Sequence, residues 1–162
     1  MNKDHKYMNA ALKEAQKAYD KGEVPVGAVI VLHDKIIARA HNLKTSAKQA
    51  THHAEILAIQ KASKKIGDWR LDECEMYVTL EPCPMCAGAL IQSRIKRLTF
   101  GAFDPKGGSV VSCQKMYEIK GYNHYPEVTI GVKEIECSMI LSDFFKKMRN
   151  KNKSDKKFDI MK

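Results

Sequence analysis

His53, Glu55, Cys83 and Cys86 are the residues whose types and spacing could do chemistry together. Cys83 and Cys86 stand three apart in Pro82-Cys83-Pro84-Met85-Cys86. Proline suits a first helical turn, so a helix is expected to open at Pro82. At that spacing both sulfurs lie on one side of the helix. A helix N-terminus adds unpaired N–H groups and partial positive charge, which favour thiolate, the form that binds metal. His53 begins another expected helix, so two helix tips can converge on one ion. Thiolates with an imidazole point to zinc. Three protein ligands leave a fourth tetrahedral position for water, whose pKa zinc lowers to about 7. Glu55, two residues beyond His53, does not share its direction on the helix and can face that water. Hydroxide attack on an aromatic C–NH₂ carbon needs one proton at a ring nitrogen and another at the departing ammonia. Glu55 is the residue expected to move them.

Other assignments are open to these residue types. His52 adjoins His53 and could be the ligand instead. Cys113 could add a fourth ligand and close the site, while Cys74 and Cys137 read as buried strand and helix residues. Five cysteines, an odd count in a chain without a recognisable export signal, argue against a disulfide framework.

The elements that must position these side chains follow from periodicity. Apolar residues at helical spacing predict a helix over 4–20. Two β-rich runs, 24–32 and 36–40, read as a hairpin turning at His33-Asp34. After a polar loop at 42–51, a helix is expected over 52–66 with Thr51 as its N-cap. Strands are expected at 74–80, 98–102 and 127–130, a short helix at 112–119, and a last helix at 135–148. Strands joined through helices imply an α/β fold, a mixed sheet with helices on both faces. The length suits one domain, read as 1–149, followed by a basic flexible tail at 150–162.

Net charge is +9, and residues 146–162 hold eight Lys/Arg against Asp155 and Asp159. Such a tail suits a polyanion such as RNA, and equally a solvated terminus. No apolar run approaches the roughly 18 residues of a membrane span, and the start is too polar for a targeting core. A cytoplasmic protein is expected.

His53-Ala54-Glu55 followed by Pro82-Cys83-Pro84-Met85-Cys86 resembles the signature of the zinc-dependent cytidine/deoxycytidylate deaminase superfamily. The flanking segments are similar to those of bacterial tRNA-specific adenosine deaminases. They include Gly22-Glu23-Val24-Pro25-Val26-Gly27, Ala40-His41-Asn42, Tyr77-Val78-Thr79-Leu80-Glu81, Ser93-Arg94-Ile95 and Leu141-Ser142-Asp143-Phe144-Phe145. The resemblance implies a cytidine-deaminase-like three-layer α/β/α fold with a five-stranded mixed sheet and one zinc per subunit. It implies a homodimer that binds a tRNA anticodon stem-loop with contacts from both subunits and uses no organic cofactor. The implied reaction converts adenosine to inosine at the wobble position, in an arginine tRNA.

Substrate contacts carried over by the resemblance are Asn42, Asp104, Lys106, Asn123, His124 and Phe145. On their own patterns, Asn42 could meet a purine edge or cap the next loop. Phe145 would be core, and Asn123-His124 a turn. The chain departs from the family pattern at His52 and at Ser109-Val110-Val111-Ser112. Two other functions share these motifs: deamination of a free base or nucleotide (guanine, cytosine, deoxycytidylate), and zinc-stabilised RNA binding without catalysis.

Overall fold

In this computed structural model, residues 2–161 are described. The first amphipathic segment forms α1 (Lys3–Asp20), capped by Asn2, whose Oδ1 accepts from the Asp4 N–H at 2.8 Å. There follow β1 (Gly27–Leu32), β2 (Lys35–His41), α2 (Ala54–Ile66), β3 (Glu75–Leu80), α3 (Pro84–Gln92) and β4 (Arg97–Ala102). A 3₁₀ turn (Met116–Glu118), β5 (Glu127–Thr129) and α4 (Glu134–Ile160) complete the chain.

One five-stranded sheet has the order β2-β1-β3-β4-β5. β1 runs antiparallel to both β2 and β3, whereas β3–β4 and β4–β5 are parallel. The hairpin turns at His33 and Asp34, both left-handed (φ 48° and 65°), the conformation that matches strand twist in a two-residue loop. Ala28, Ile30, Met76 and Val78 face one core with Ala54, Ala58, Ala87 and Leu90 of α2 and α3. Val29, Val31 and Tyr77 face the other with Tyr7, Met8 and Ala11 of α1 and Cys137 of α4. The result is the expected three-layer α/β/α fold. Burial on both faces is why β1 reads as an unbroken apolar run.

Close packing fixes α1 on the sheet. A Cβ on Gly27 would lie 2.0 Å from the Ala11 carbonyl oxygen. At the other end of α1, Asp4 accepts from Arg97 (2.7 Å) and from the Tyr77 hydroxyl (2.7 Å), and Arg97 also donates to Glu75 (2.8 Å). These bonds tie α1 to β3 and β4.

Five elements differ from the sequence reading by more than one residue; one of them, the helix expected at 112–119, is only the 3₁₀ turn at Met116–Glu118. β1 starts at Gly27 rather than Val24, because Pro25 has no N–H for a ladder. α2 starts at Ala54, with His53 rather than Thr51 at the cap position. The His52 carbonyl accepts from the Leu43 N–H (3.0 Å) and so belongs to the loop. α3 starts at Pro84, not Pro82, since a residue before proline avoids helical geometry and Cys83 is extended (φ −72°, ψ 174°). α4 continues through Ile160 rather than ending at 148, so the basic segment expected as a tail is helical as far as Ile160. It holds no glycine or proline to stop it.

Candidate active site

β2, β3 and β4 all end at one edge of the sheet, and α2 and α3 begin there. Crevices outside the carboxyl ends of strands are where open α/β sheets bind ligands. His53 caps α2, Cys83 caps α3, and Cys86 follows in the first turn of α3. His53 Nδ1 lies 3.6 Å from Cys83 Sγ and 3.6 Å from Cys86 Sγ. The three ligand atoms are all within 4.8 Å of one another, the one such His/Cys/Asp/Glu cluster among the described residues.

Those distances test the group against a metal. With Zn–S near 2.3 Å and Zn–N near 2.0–2.1 Å, tetrahedral angles put sulfur and nitrogen about 3.6 Å apart. The observed separations match that value. His52 and Cys113 are outside the cluster. Cys113 Sγ instead points to the Pro105 carbonyl at 2.9 Å. Cys74 and Cys137 are buried, and burial pushes their thiols up to about 11 and about 12.

The electrostatics suit metal binding. Hydrogen bonding from Cys86, with help from His53, pulls the Cys83 thiol down to about 4 despite its burial. The Cys83 interaction also raises the His53 pKa, against desolvation. Glu55 occupies the second helical position of α2 and is only 4% exposed. Burial raises its carboxyl to about 7, and negative charge on Cys83 adds to the effect.

A cavity of about 220 Å³ opens over this cluster. It is lined by His53, Glu55, Cys83, Asn42 and Asp104, which the sequence singled out, and by Val24, Val26, Lys44, Leu80 and Glu81, which it did not. Its volume is below the roughly 300 Å³ at which drug-sized pockets begin, the scale of one flat ring system. A second cavity of about 720 Å³ shares Val24, Leu80 and Asp104 and extends to Lys106, Phe145, Met148, Arg149 and Asn152. Together they form a cleft running from the metal cluster to the basic end of α4.

Two loops wall the smaller cavity. Asn42 holds the first, donating from Nδ2 to the Val24 carbonyl (3.2 Å) and accepting at Oδ1 from the Lys44 N–H (3.1 Å). The loop-capping alternative for Asn42 is therefore realised, on a residue that also lines the cavity. Glu23, buried, accepts from the Thr45 and Ser46 N–H groups at 3.1 and 2.6 Å. The second loop carries Asp104, whose Oδ1 accepts from the Lys106 and Gly107 N–H groups. Glu81 collects several of that loop's donors. Its burial alone would raise the carboxyl, but bonds from Ser112, Val111 and Asp104 outweigh that and hold it low. A lone Glu after a strand gives little sequence signal for such a role.

Phe145, read from its spacing as core, is 44% exposed and lines the larger cavity. Asn123 and His124 are not brought to the cleft. His124 Nε2 sits 2.6 Å from the Ile95 carbonyl, beside the start of β4 and at the opposite edge of the sheet from the metal cluster.

Residues 1–149 match the family described as MafB19-like deaminase. A "tRNA-specific adenosine deaminase" from Bacillus subtilis is 50% identical over 157 residues, covering 97% of this chain and 98% of that protein. Its counterpart from Aquifex aeolicus is 46% identical, covering 93% of this chain and 98% of that protein. A solved structure from a study of A-to-I editing by tRNA deaminases at the wobble position superposes with a TM-score of 0.82. It is 44% identical and spans 84% of this chain and 99% of its own.

Proposed function

The chain belongs to the MafB19-like deaminase family, beside the tRNA-specific adenosine deaminases it matches, and from that premise we propose that it hydrolyses adenosine to inosine at the wobble position of a tRNA anticodon. An arginine tRNA is the proposed substrate. The observation that carries the reading is the His53/Cys83/Cys86 cluster beside buried Glu55, at the floor of a cavity sized for one base.

His53, Cys83 and Cys86 are the proposed zinc ligands, one ion per subunit. Zinc held there would supply Lewis acidity toward a water molecule near neutral pH. Glu55 would accept a proton from the attacking water and deliver it to a purine ring nitrogen, then take a second proton from the hydroxyl newly bonded to the ring carbon and pass it to the departing ammonia as the C–N bond breaks. A carboxyl raised to about 7 is matched to such transfers at neutral pH. Asn42 and Asp104 wall the base, while Lys106 and Phe145 meet neighbouring nucleotides in the larger cavity. Lys44 and Arg149 offer cations for flanking phosphates.

Asn123 and His124, away from this chain's own cleft, are proposed to meet substrate from a second copy in a homodimer. No helix among the described residues is long and apolar enough to cross a membrane, and we place the protein in the cytoplasm with its tRNA. The rival substrates are free bases and nucleotides. Whole tRNA and free guanine, cytosine and deoxycytidylate, each incubated with the protein, separate the readings by ammonia release. Release from tRNA alone is expected, and release only from the free compounds would sink the proposal.

A further inference from the structure

Glu81 follows the last residue of β3, is 2% exposed, and does none of the chemistry assigned above. Its carboxylate faces donors only. Oε2 accepts from three successive amides, Val110 (3.2 Å), Val111 (2.8 Å) and Ser112 (3.0 Å). Oε1 accepts from the Asp104 N–H (3.1 Å) and from the Ser112 hydroxyl. Successive N–H groups converging on one oxygen form an anion nest, here filled by the protein's own side chain. Both ends of the 104–112 loop are thereby bound to a single group. The backbone has been cleared for it: a Cβ on Gly108 would lie 2.4 Å from both the carboxyl carbon and Oε1 of Glu81.

The same short segment reaches the metal cluster. Cys83 is two residues further on, and the Pro82 carbonyl accepts from the Ser109 N–H at 2.9 Å. One stretch of chain therefore sets both the sulfur of a proposed ligand and the wall that carries Asp104 and Lys106. We propose that Glu81 is a positioning residue for substrate: it fixes the 104–112 loop, and so Asp104 and Lys106, in register with the reacting centre. This rests on the deaminase reading. Glu81 lines the smaller cavity, but every hydrogen bond its carboxylate makes goes to the 104–112 loop. Its contribution is preorganisation, so that the cleft wall is not ordered at the cost of RNA binding.

Glu81→Gln tests this. The amide has nearly the shape of the carboxylate, but whichever oxygen becomes NH₂ then faces at least two donors. Steady-state inosine formation on an anticodon stem-loop RNA, zinc content, and amide exchange at residues 110–112 are read on wild type and variant. A wall that must be ordered at the moment of binding weakens binding without touching the reacting atoms, so KM is expected to rise by about tenfold or more, with kcat within about threefold. Zinc content should be unchanged and the 110–112 amides should exchange faster. An unchanged KM overturns the proposal. So does a fall in kcat at constant KM, which would mark a merely structural role, or loss of zinc, which would make Glu81 a support for Cys83. Gly108→Ala displaces the carboxylate from the other side and serves if Glu81→Gln does not fold. The same rise in KM is expected there, and an unchanged KM overturns the proposal. A wild-type protein that forms no inosine would instead overturn the deaminase reading itself.

Discussion

Glu55→Gln should make the protein nearly inactive and, stripped of metal, more stable. The side chain is 4% exposed and its carboxyl is raised from 4.5 to about 7, chiefly by burial. At about 1.4 kcal/mol per pKa unit, ionising it inside the fold costs about 3 kcal/mol. The sign follows from the raised value. The penalty is absent below the unfolded pKa, where the group is neutral in both states, and it is complete once pH rises past the folded value. Glutamine cannot ionise and escapes it. Urea titration of chelator-treated protein should therefore find the variant more stable by up to about 3 kcal/mol at pH 8, with the gain vanishing near pH 4.5. Single-turnover inosine formation by the zinc-loaded variant should fall by about 10²–10⁴, the usual worth of a positioned proton carrier. A variant that keeps more than about a tenth of the wild-type rate would remove Glu55 from the mechanism, since general acid–base catalysis is worth far more. A variant no more stable at pH 8 would refute the electrostatic argument.

Cys83→Ala should bind less than one zinc per chain by elemental analysis and should unfold at lower urea, because metal binding and folding are coupled. Truncation after Arg149 removes Lys151, Lys153, Lys156 and Lys157 of α4. Filter binding across a salt series should show weaker tRNA affinity and a shallower salt slope, whereas an unchanged slope would mean that segment is only solvated. Asp4→Asn should destabilise the fold by about 1–2 kcal/mol, the worth of a charged hydrogen bond that is partly exposed. Hydrogen bonding from Arg97 holds the Asp4 pKa below its ordinary value. That stability is present above the ordinary carboxylate range and lost as pH falls through the depressed value, so wild type should lose stability more steeply than the variant below about pH 4.

The metal cluster is legible in the sequence because a Cys-x-x-Cys pair and a His near helix starts leave little geometric freedom. The fold brings His53 rather than His52 to the sulfurs: the His52 carbonyl is bonded to Leu43, and His53 takes the cap, where its ring meets both sulfurs. The late starts of α2 and α3 have one form: His53 and Cys83 each occupy the extended cap position, while Cys86 lies in the first turn of α3. Pro84 carried that signal for α3. The layers were readable from the order of elements, since strands joined through helices imply a mixed sheet covered on both faces. The cleft walls were not, because Glu23 and Glu81 act on backbone amides some twenty to thirty residues away and leave no periodic trace. Phe145 shows the same limit: helical spacing alone reads it as core, the resemblance made it a substrate contact, and the folded chain puts it in the lining of the larger cavity.

The central claim is tested most directly by mass mapping of tRNA treated with the zinc-loaded protein. Each adenosine converted to inosine gains about 1 Da, as an amino group is exchanged for oxygen in hydrolytic deamination. The account predicts that this change falls at the first anticodon position of an arginine tRNA and disappears with Glu55→Gln. An unmodified first anticodon position, with ammonia released from a free base or nucleotide instead, would contradict it.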